Sequence, residues 1–292
     1  MQTIKSPLRI VISVFVFLLL SCSSQAQKKY DVPNTKAEWS QDCEPFRIAG
    51  NLYYVGTYDL CCYLITTPKG HILINTGLVE STHMLRKHIE ALGFKFSDIK
   101  ILLTTQVHYD HVGAMAEIKK LTGARLMVNA PDAAVLADGG SSDYFMGGKG
   151  PLFEPVKADQ LLHDGESVNW GGMHIQVLSH PGHTKGSTSF LFDVVDDNRS
   201  YRVLIANMPS VIVPDIKNVP GYPNIITDYA HTFEAMKKLK FDIWLAAHAS
   251  QFDMHRKHHP GDSYHPEVFM DRAGYDAALD DLEKEYLKAL GK

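Results

Sequence analysis

Gln106-Val107-His108-Tyr109-Asp110-His111 follows the apolar, β-branched run Ile99 to Leu103 and precedes Gly113 to Leu121, whose apolar spacing suits a helix. The six residues therefore sit on a strand-to-helix turn. Residues two apart on an extended or turning backbone point the same way, so Gln106 and His108 can face one ion while Asp110 and His111 turn toward a second. With 15 histidines in 292 residues, two histidines beside an aspartate could arise by chance. Two further stretches argue otherwise. His180-Pro181-Gly182-His183-Thr184-Lys185-Gly186-Ser187 follows the alternating run Met173 to Leu178, and Ala247-His248-Ala249-Ser250 follows the apolar run Ile243 to Ala246. Three strand ends that deliver donors to one edge of a fold are the means of building a two-zinc site.

The order x-x-H-x-D-H, then P-G-H-T-x-G-S, then a single histidine after a late strand, resembles the metallo-β-lactamase superfamily from about Pro45 to the C-terminus. Within it the sequence is similar to the class B β-lactamases of the third subclass, in the branch where glutamine stands in place of the first histidine. The resemblance implies an α/β fold, the four-layer αββα sandwich of two mixed sheets flanked by helices. Carried over by position, Gln106, His108 and His183 hold the first zinc and Asp110, His111 and His248 the second, with Asp110 and His248 as the catalytic residues. One or two Zn2+ per chain are expected. The second site should be the tighter, because Asp110 is the one anionic ligand and a glutamine amide is a poorer zinc ligand than imidazole.

Zinc lowers the pKa of water to about 7, so hydroxide is available at neutral pH. The activity that the resemblance implies is hydrolysis of the β-lactam amide of penicillins, cephalosporins and carbapenems. Ser210, in Asn207-Met208-Pro209-Ser210, and Lys185 are candidates to bind the substrate carboxylate. Two departures from the pattern stand out. Asn75-Thr76-Gly77 replaces the usual D-T-G, which suggests that the Asn75 amide bonds Gln106, and Met208 stands where a serine is usual. The rivals are a thioester hydrolase of the glyoxalase type, a lactone hydrolase, or a non-catalytic zinc-binding lipoprotein. The first two resemble the chain less, since they usually carry a bridging aspartate where Leu204-Ile205-Ala206-Asn207-Met208 has no carboxylate.

At 292 residues and 45% hydrophobic content the chain can bury a sizeable core, and no linker or low-complexity segment divides it. We expect a leader at 1–26, an N-terminal surface segment at 27–44 and a catalytic domain at 45–292. A net charge of −4 with no basic stripe argues against nucleic acid as partner and leaves small molecules as the default. Lys5 and Arg9 precede the apolar run Ile10 to Leu20, too short to span a bilayer and suited to a secretory signal. Cleavage before Gln27, after Ser24-Gln25-Ala26, and cleavage before a lipidated Cys22, after Leu19-Leu20-Ser21, both fit. Either places the mature protein in the periplasm, without a transmembrane helix, free or tethered by an N-terminal lipid, and as a monomer. Cys43, Cys61 and Cys62 remain, an odd number; Cys61 and Cys62 face opposite sides of a strand, so either could pair with Cys43.

Short β-rich pieces at Phe46 to Ile48, Leu52 to Val55, Cys61 to Thr66 and His71 to Asn75 have the spacing of an antiparallel meander. Ser81 is placed to cap a helix through Leu92 that Gly93 ends. Strands are expected at 99–103, 124–128, 173–178, 187–192, 201–205 and 243–246, with Asp196-Asp197-Asn198 as the turn between the fourth and fifth of these. Helices are expected at 113–121, 133–137, 229–239 and 271–290. The glycine-rich stretch 139–150, with Tyr144, Phe145 and Met146, suits a flap over a substrate.

Overall fold

The computed structural model describes residue 30, residues 32–33 and residues 35–292 except 198. The leader at 1–26, both cleavage positions and Asn198 lie outside the described residues. Four strands, β1 (Phe46–Ala49), β2 (Leu52–Tyr54), β3 (Tyr63–Ile65) and β4 (His71–Ile74), form the expected antiparallel meander. Three parallel strands extend it: β5 (Ile99–Leu103), β6 (Arg125–Asn129) and β7 (Gln160–Leu162). The crossovers carry α1 (Thr82–Ala91), α2 (Tyr109–Val112), α3 (Met115–Thr122) and α4 (Ala133–Ala137). A parallel sheet needs such crossovers, and they cover one face.

The second sheet holds β8 (Ser167–Trp170), β9 (Met173–Ser179), β10 (Thr188–Asp196), β11 (Arg199–Ala206) and β12 (Ile243–Ala246), in the order β12-β11-β10-β9-β8. It is antiparallel except for the β11–β12 pair, whose crossover is α5 (Ile225–Lys237). The chain closes with α7 (Arg272–Ala289), after the single turn α6 (Met254–Lys257).

Side chains alternate as the pleat requires. Ile72 and Ile74 face the core between the sheets, while Leu73 faces the layer beneath α1 and α3. Cys61 and Cys62 divide in the same way, and both are free thiols, as is Cys43, so neither pairing open to Cys43 forms. On the outer face of the second sheet, Tyr275 of α7 meets the buried Trp244 of β12 edge-on at 5.3 Å, and Tyr286 packs on Phe233 of α5. The result is helices, sheet, sheet, helices: the four-layer sandwich.

Local details differ from the sequence expectations. Ser81 caps no helix with its side chain; it lies in a 3-10 turn, Val79–Ser81, that runs into α1 with helical backbone. The helix expected over Gly113 to Leu121 is α3, displaced by one or two residues at its ends, and before it lies the unexpected α2, so Asp110 and His111 stand on a one-turn helix directly after His108. β7 and β8 were not foreseen. The segment before Pro45 is more than a surface run, because Trp39 docks on the domain through Asp59 and Pro33 O accepts from Tyr109 Oη at 2.7 Å.

The loops after β5, β9 and β12 meet at one edge, and buried polar groups lock them. Asp132 Oδ2 accepts from Val107 N at 3.2 Å and Thr184 Oγ1 at 2.7 Å, while Oδ1 accepts from Gly186 N at 2.7 Å. The Thr105 carbonyl accepts from Thr188 N at 2.7 Å and Asn207 Nδ2 at 2.9 Å. One carboxylate thus ties the 106–111 loop to the 180–186 loop. Removing it strands buried donors, each costing about 1–3 kcal/mol. Asp132→Ala should lower the unfolding free energy by about 3 kcal/mol in urea titration; a loss below about 0.5 kcal/mol, the range of a surface substitution, would show that the loops hold their places without it.

Candidate metal centre

His108 precedes α2 with extended backbone, and the helix then turns Asp110 and His111 toward the same edge. His183 arrives from the loop after β9 and His248 from the end of β12, where an antiparallel bridge pairs it with Leu60. Asp110 Oδ2 lies 3.2 Å from His111 Nε2 and 3.5 Å from His248 Nε2, and the three donors fall within 4.8 Å of one another. Zinc bonds of 2.0–2.2 Å in a tetrahedron place ligand atoms about 3.3–3.5 Å apart. The spacing fits.

The tautomer of His248 also fits. Its Nδ1 faces Asp59 Oδ2 at 3.1 Å, and a carboxylate accepts, so the ring N–H lies there and the Nε2 lone pair is left for a metal. Asp59 is itself held by Ser250 N at 2.9 Å and Trp39 Nε1 at 3.1 Å. Burial alone would lower the pKa of His248, but Asp110 and Asp59 outweigh it and hold it up to about 9. Asp110 is buried, yet His111 and His248 keep its carboxyl well below the usual range. Burial pushes His111 down.

Around the first half-site, the His108 and His183 rings stand 5.0 Å apart between centroids. Nδ1 of His183 donates to Ser210 O at 2.9 Å and has Ser210 Oγ at 3.0 Å, which again leaves Nε2 as the free lone pair. Burial and the neighbouring His108 lower its pKa to about 3, so it is neutral. Gln106 Oε1, His108 Nε2 and both ring nitrogens of His111 are buried without a hydrogen-bond partner among the described residues. Buried polar atoms are rarely left so; His108 Nε2 has the Asp143 carboxylate 3.4 Å away, and a metal ion would satisfy Gln106 Oε1 and a ring nitrogen of His111.

The suggested bond between Asn75 and Gln106 does not form. Asn75 Oδ1 accepts from Thr105 N at 2.9 Å and Thr104 Oγ1 at 3.1 Å, and Nδ2 donates to Thr105 Oγ1 at 3.1 Å. Asn75 is left-handed, at φ 63°, where asparagine is among the few residues that sit without strain. It braces the turn after β5 instead of the Gln106 amide. Ser210 stands behind His183, and Lys185 Nζ lies 5.6 Å from the Tyr222 ring centroid. Met208 is buried. Asp59 and Asp132 escaped the sequence reading. A ligand histidine calls for a carboxylate on its other nitrogen, but nothing local singles out Asp59 among 33 acidic residues.

Residues 61–196 match the family described as the Metallo-beta-lactamase superfamily. The class B3 di-zinc metallo-beta-lactamase LRA-12 from an Alaskan soil metagenome is 60% identical, with a TM-score of 0.88, over 89% of this chain and 99% of that one. The metallo-beta-lactamase GOB-18 from Elizabethkingia meningoseptica is 55% identical, with a TM-score of 0.89, over 91% of this chain and 99% of that one. A curated relative, a hydroxyacylglutathione hydrolase from a Bradyrhizobium species, is 29% identical over 131 residues, 45% of this chain. The match spans only 42% of that relative's length. Likeness over nearly the whole length of solved class B3 enzymes, with the fold shared, decides the matter: the chain belongs to the metallo-β-lactamase superfamily, within its class B3.

Proposed function

We propose that this protein hydrolyses the β-lactam amide of penicillins, cephalosporins and carbapenems, with zinc held by two unequal half-sites. The observation that carries it is the convergence of Asp110, His111 and His248 at zinc-ligand spacing, with Gln106 Oε1, on the same loop as Asp110 and His111, buried and without a hydrogen-bond partner among the described residues. Its support from outside the chain is whole-length likeness to enzymes described as metallo-β-lactamases. Gln106, His108 and His183 are assigned to the first zinc and Asp110, His111 and His248 to the second. Bound zinc supplies a Lewis acid and hydroxide at neutral pH.

The chain's own residues do the rest. Asp59 and Ser210 fix which nitrogen His248 and His183 present. Asp110, ionised throughout the neutral range, is the anion placed to hold the proton of an attacking water, and His248, 3.5 Å away, is its partner. Lys185 and Ser210 are the candidates to take the substrate carboxylate. No serine nucleophile is needed, so no acyl-enzyme forms. Export to the periplasm by the leader at 1–26, with cleavage before Gln27 or lipidation at Cys22, and action as a monomer, complete the reading. Among the described residues no helix is long and apolar enough to cross a membrane.

Hydrolysis of a chromogenic cephalosporin by the zinc-loaded protein, abolished by a chelator and indifferent to serine-directed acylating inhibitors, is the expected result. Intact cephalosporins and carbapenems beside rapid cleavage of S-lactoylglutathione would replace this reading by that of a thioester hydrolase.

A second expectation comes from protonation. Without metal, His248 keeps its proton up to about pH 9, Asp110 is already ionised and His111 is neutral. At about pH 7.5 a zinc ion entering the second site must therefore displace about one proton, from His248. Below its unfolded pKa of about 6.5 that proton stabilises the metal-free fold in full, and the contribution fades as pH rises through about 9. Calorimetry in buffers of different ionisation enthalpy reads the proton directly; a binding heat independent of buffer would contradict the assignment of His248.

A further inference from the structure

The glycine-rich stretch 139–150 is a tightly bonded turn rather than a loose cover. Asp143 N donates to Gly140 O at 3.1 Å, Gly147 N to Asp143 O at 3.2 Å and Gly148 N to Ser141 O at 2.9 Å. A Cβ on Gly147 would stand 2.5 Å from the carbonyl oxygens of both Asp143 and Ser141, so only glycine lets the turn close. The closed turn divides the two oxygens of Asp143. Oδ1 accepts from Phe145 N at 2.9 Å and Met146 N at 2.6 Å. Oδ2 lies 3.4 Å from His108 Nε2, and both side chains are almost fully buried, at 4% and 2% exposure.

Asp143 could be a third donor beside His108 and His183 or a partner behind His108. Only one trio of His, Cys, Asp or Glu donors within 4.8 Å of one another occurs among the described residues, and it is Asp110, His111 and His248. Asp143 therefore does not converge with His108 and His183. A buried carboxylate beside a buried ring nitrogen that has no other partner draws the N–H to that nitrogen. That leaves Nδ1 of His108 with the lone pair.

We propose that Asp143 is a positioning residue for the first metal site: it takes the Nε2–H of His108 and so fixes Nδ1 as the metal-facing atom, as Asp59 does for His248 from the opposite nitrogen. The neighbouring Tyr144 donates from Oη to His183 O at 2.8 Å, so residues 143 and 144 fasten the glycine-rich turn to both histidines of that half-site. The turn and the first ion are then coupled, because moving the turn releases the ring that holds the ion. This inference rests on the assignment of His108 as a ligand.

The test uses the full chain with its second site loaded and cobalt(II) titrated into the first. Asp143→Asn keeps an oxygen for the Phe145 and Met146 amides but points an NH2 group at His108, so the turn survives while the partner is lost. In the parent, proton NMR should show a hyperfine-shifted, solvent-exchangeable imidazole N–H that His108→Ala removes. In Asp143→Asn that signal should vanish by exchange, and first-site cobalt affinity should fall about 10–100-fold, as for other partners of metal-bound histidines, with second-site binding unchanged. An unchanged N–H signal and affinity in Asp143→Asn would overturn the proposal alone. First-site binding that survives His108→Ala would overturn the ligand assignment on which it stands.

Discussion

Three buried nitrogen and oxygen atoms without hydrogen-bond partners among the described residues, on Gln106 and His111, are the constraint that shapes this edge of the molecule. Leaving such atoms dry and unpaired costs on the order of 1–3 kcal/mol each, and folding alone does not recover it. A cation recovers it. The cost is bearable because the two sheets beneath supply a large apolar core, from Ile72 and Ile74 on one side to Val203 and Ile205 on the other. The same core fixes where strands end, and the donors stand on the residues just past those ends.

Around that edge the chain spends a set of carboxylates on orientation. Asp59 holds His248, Asp132 ties the 106–111 and 180–186 loops, and Asp143 faces His108. Only Asp110 is left to bring negative charge to the ions. Asp110 meets two imidazoles at tetrahedral spacing, whereas the first half-site, as proposed, has a neutral amide and two imidazoles. The proposed ligand set therefore carries an asymmetry of charge, and Coulomb attraction to a dication favours the anionic half.

Much of this was legible in the sequence where one segment contains its own signal. The strands Ile99–Leu103 and Ile243–Ala246 and the helix Ala133–Ala137 fall where apolar runs and their flanks placed them, and the structure brings Asp110, His111 and His248 together and sets His108 beside His183. β7 and β8 were missed because each is short and half exposed, so neither shows a run of buried side chains. The helix after the cradle falls where its apolar spacing placed it, as Met115–Thr122, whereas the four residues of α2 are too few to show a helical period. Asn75 was assigned to Gln106 from chemistry alone. Its left-handed backbone turns the amide to Thr104 and Thr105 instead, a matter of main-chain geometry that no residue type announces. Asp59, Asp132 and Asp143 were invisible for a related reason: their partners lie 189, 25 or 54, and 35 positions away, and only tertiary packing joins them.

Metal analysis of dialysed Asp110→Ala and Gln106→Ala proteins measures the inequality of the two half-sites most directly. Asp110→Ala should lose its zinc and its hydrolytic activity together, since it removes the only anion among the six proposed ligands, while Gln106→Ala should keep most of both. Equal zinc loss from the two variants would contradict the account.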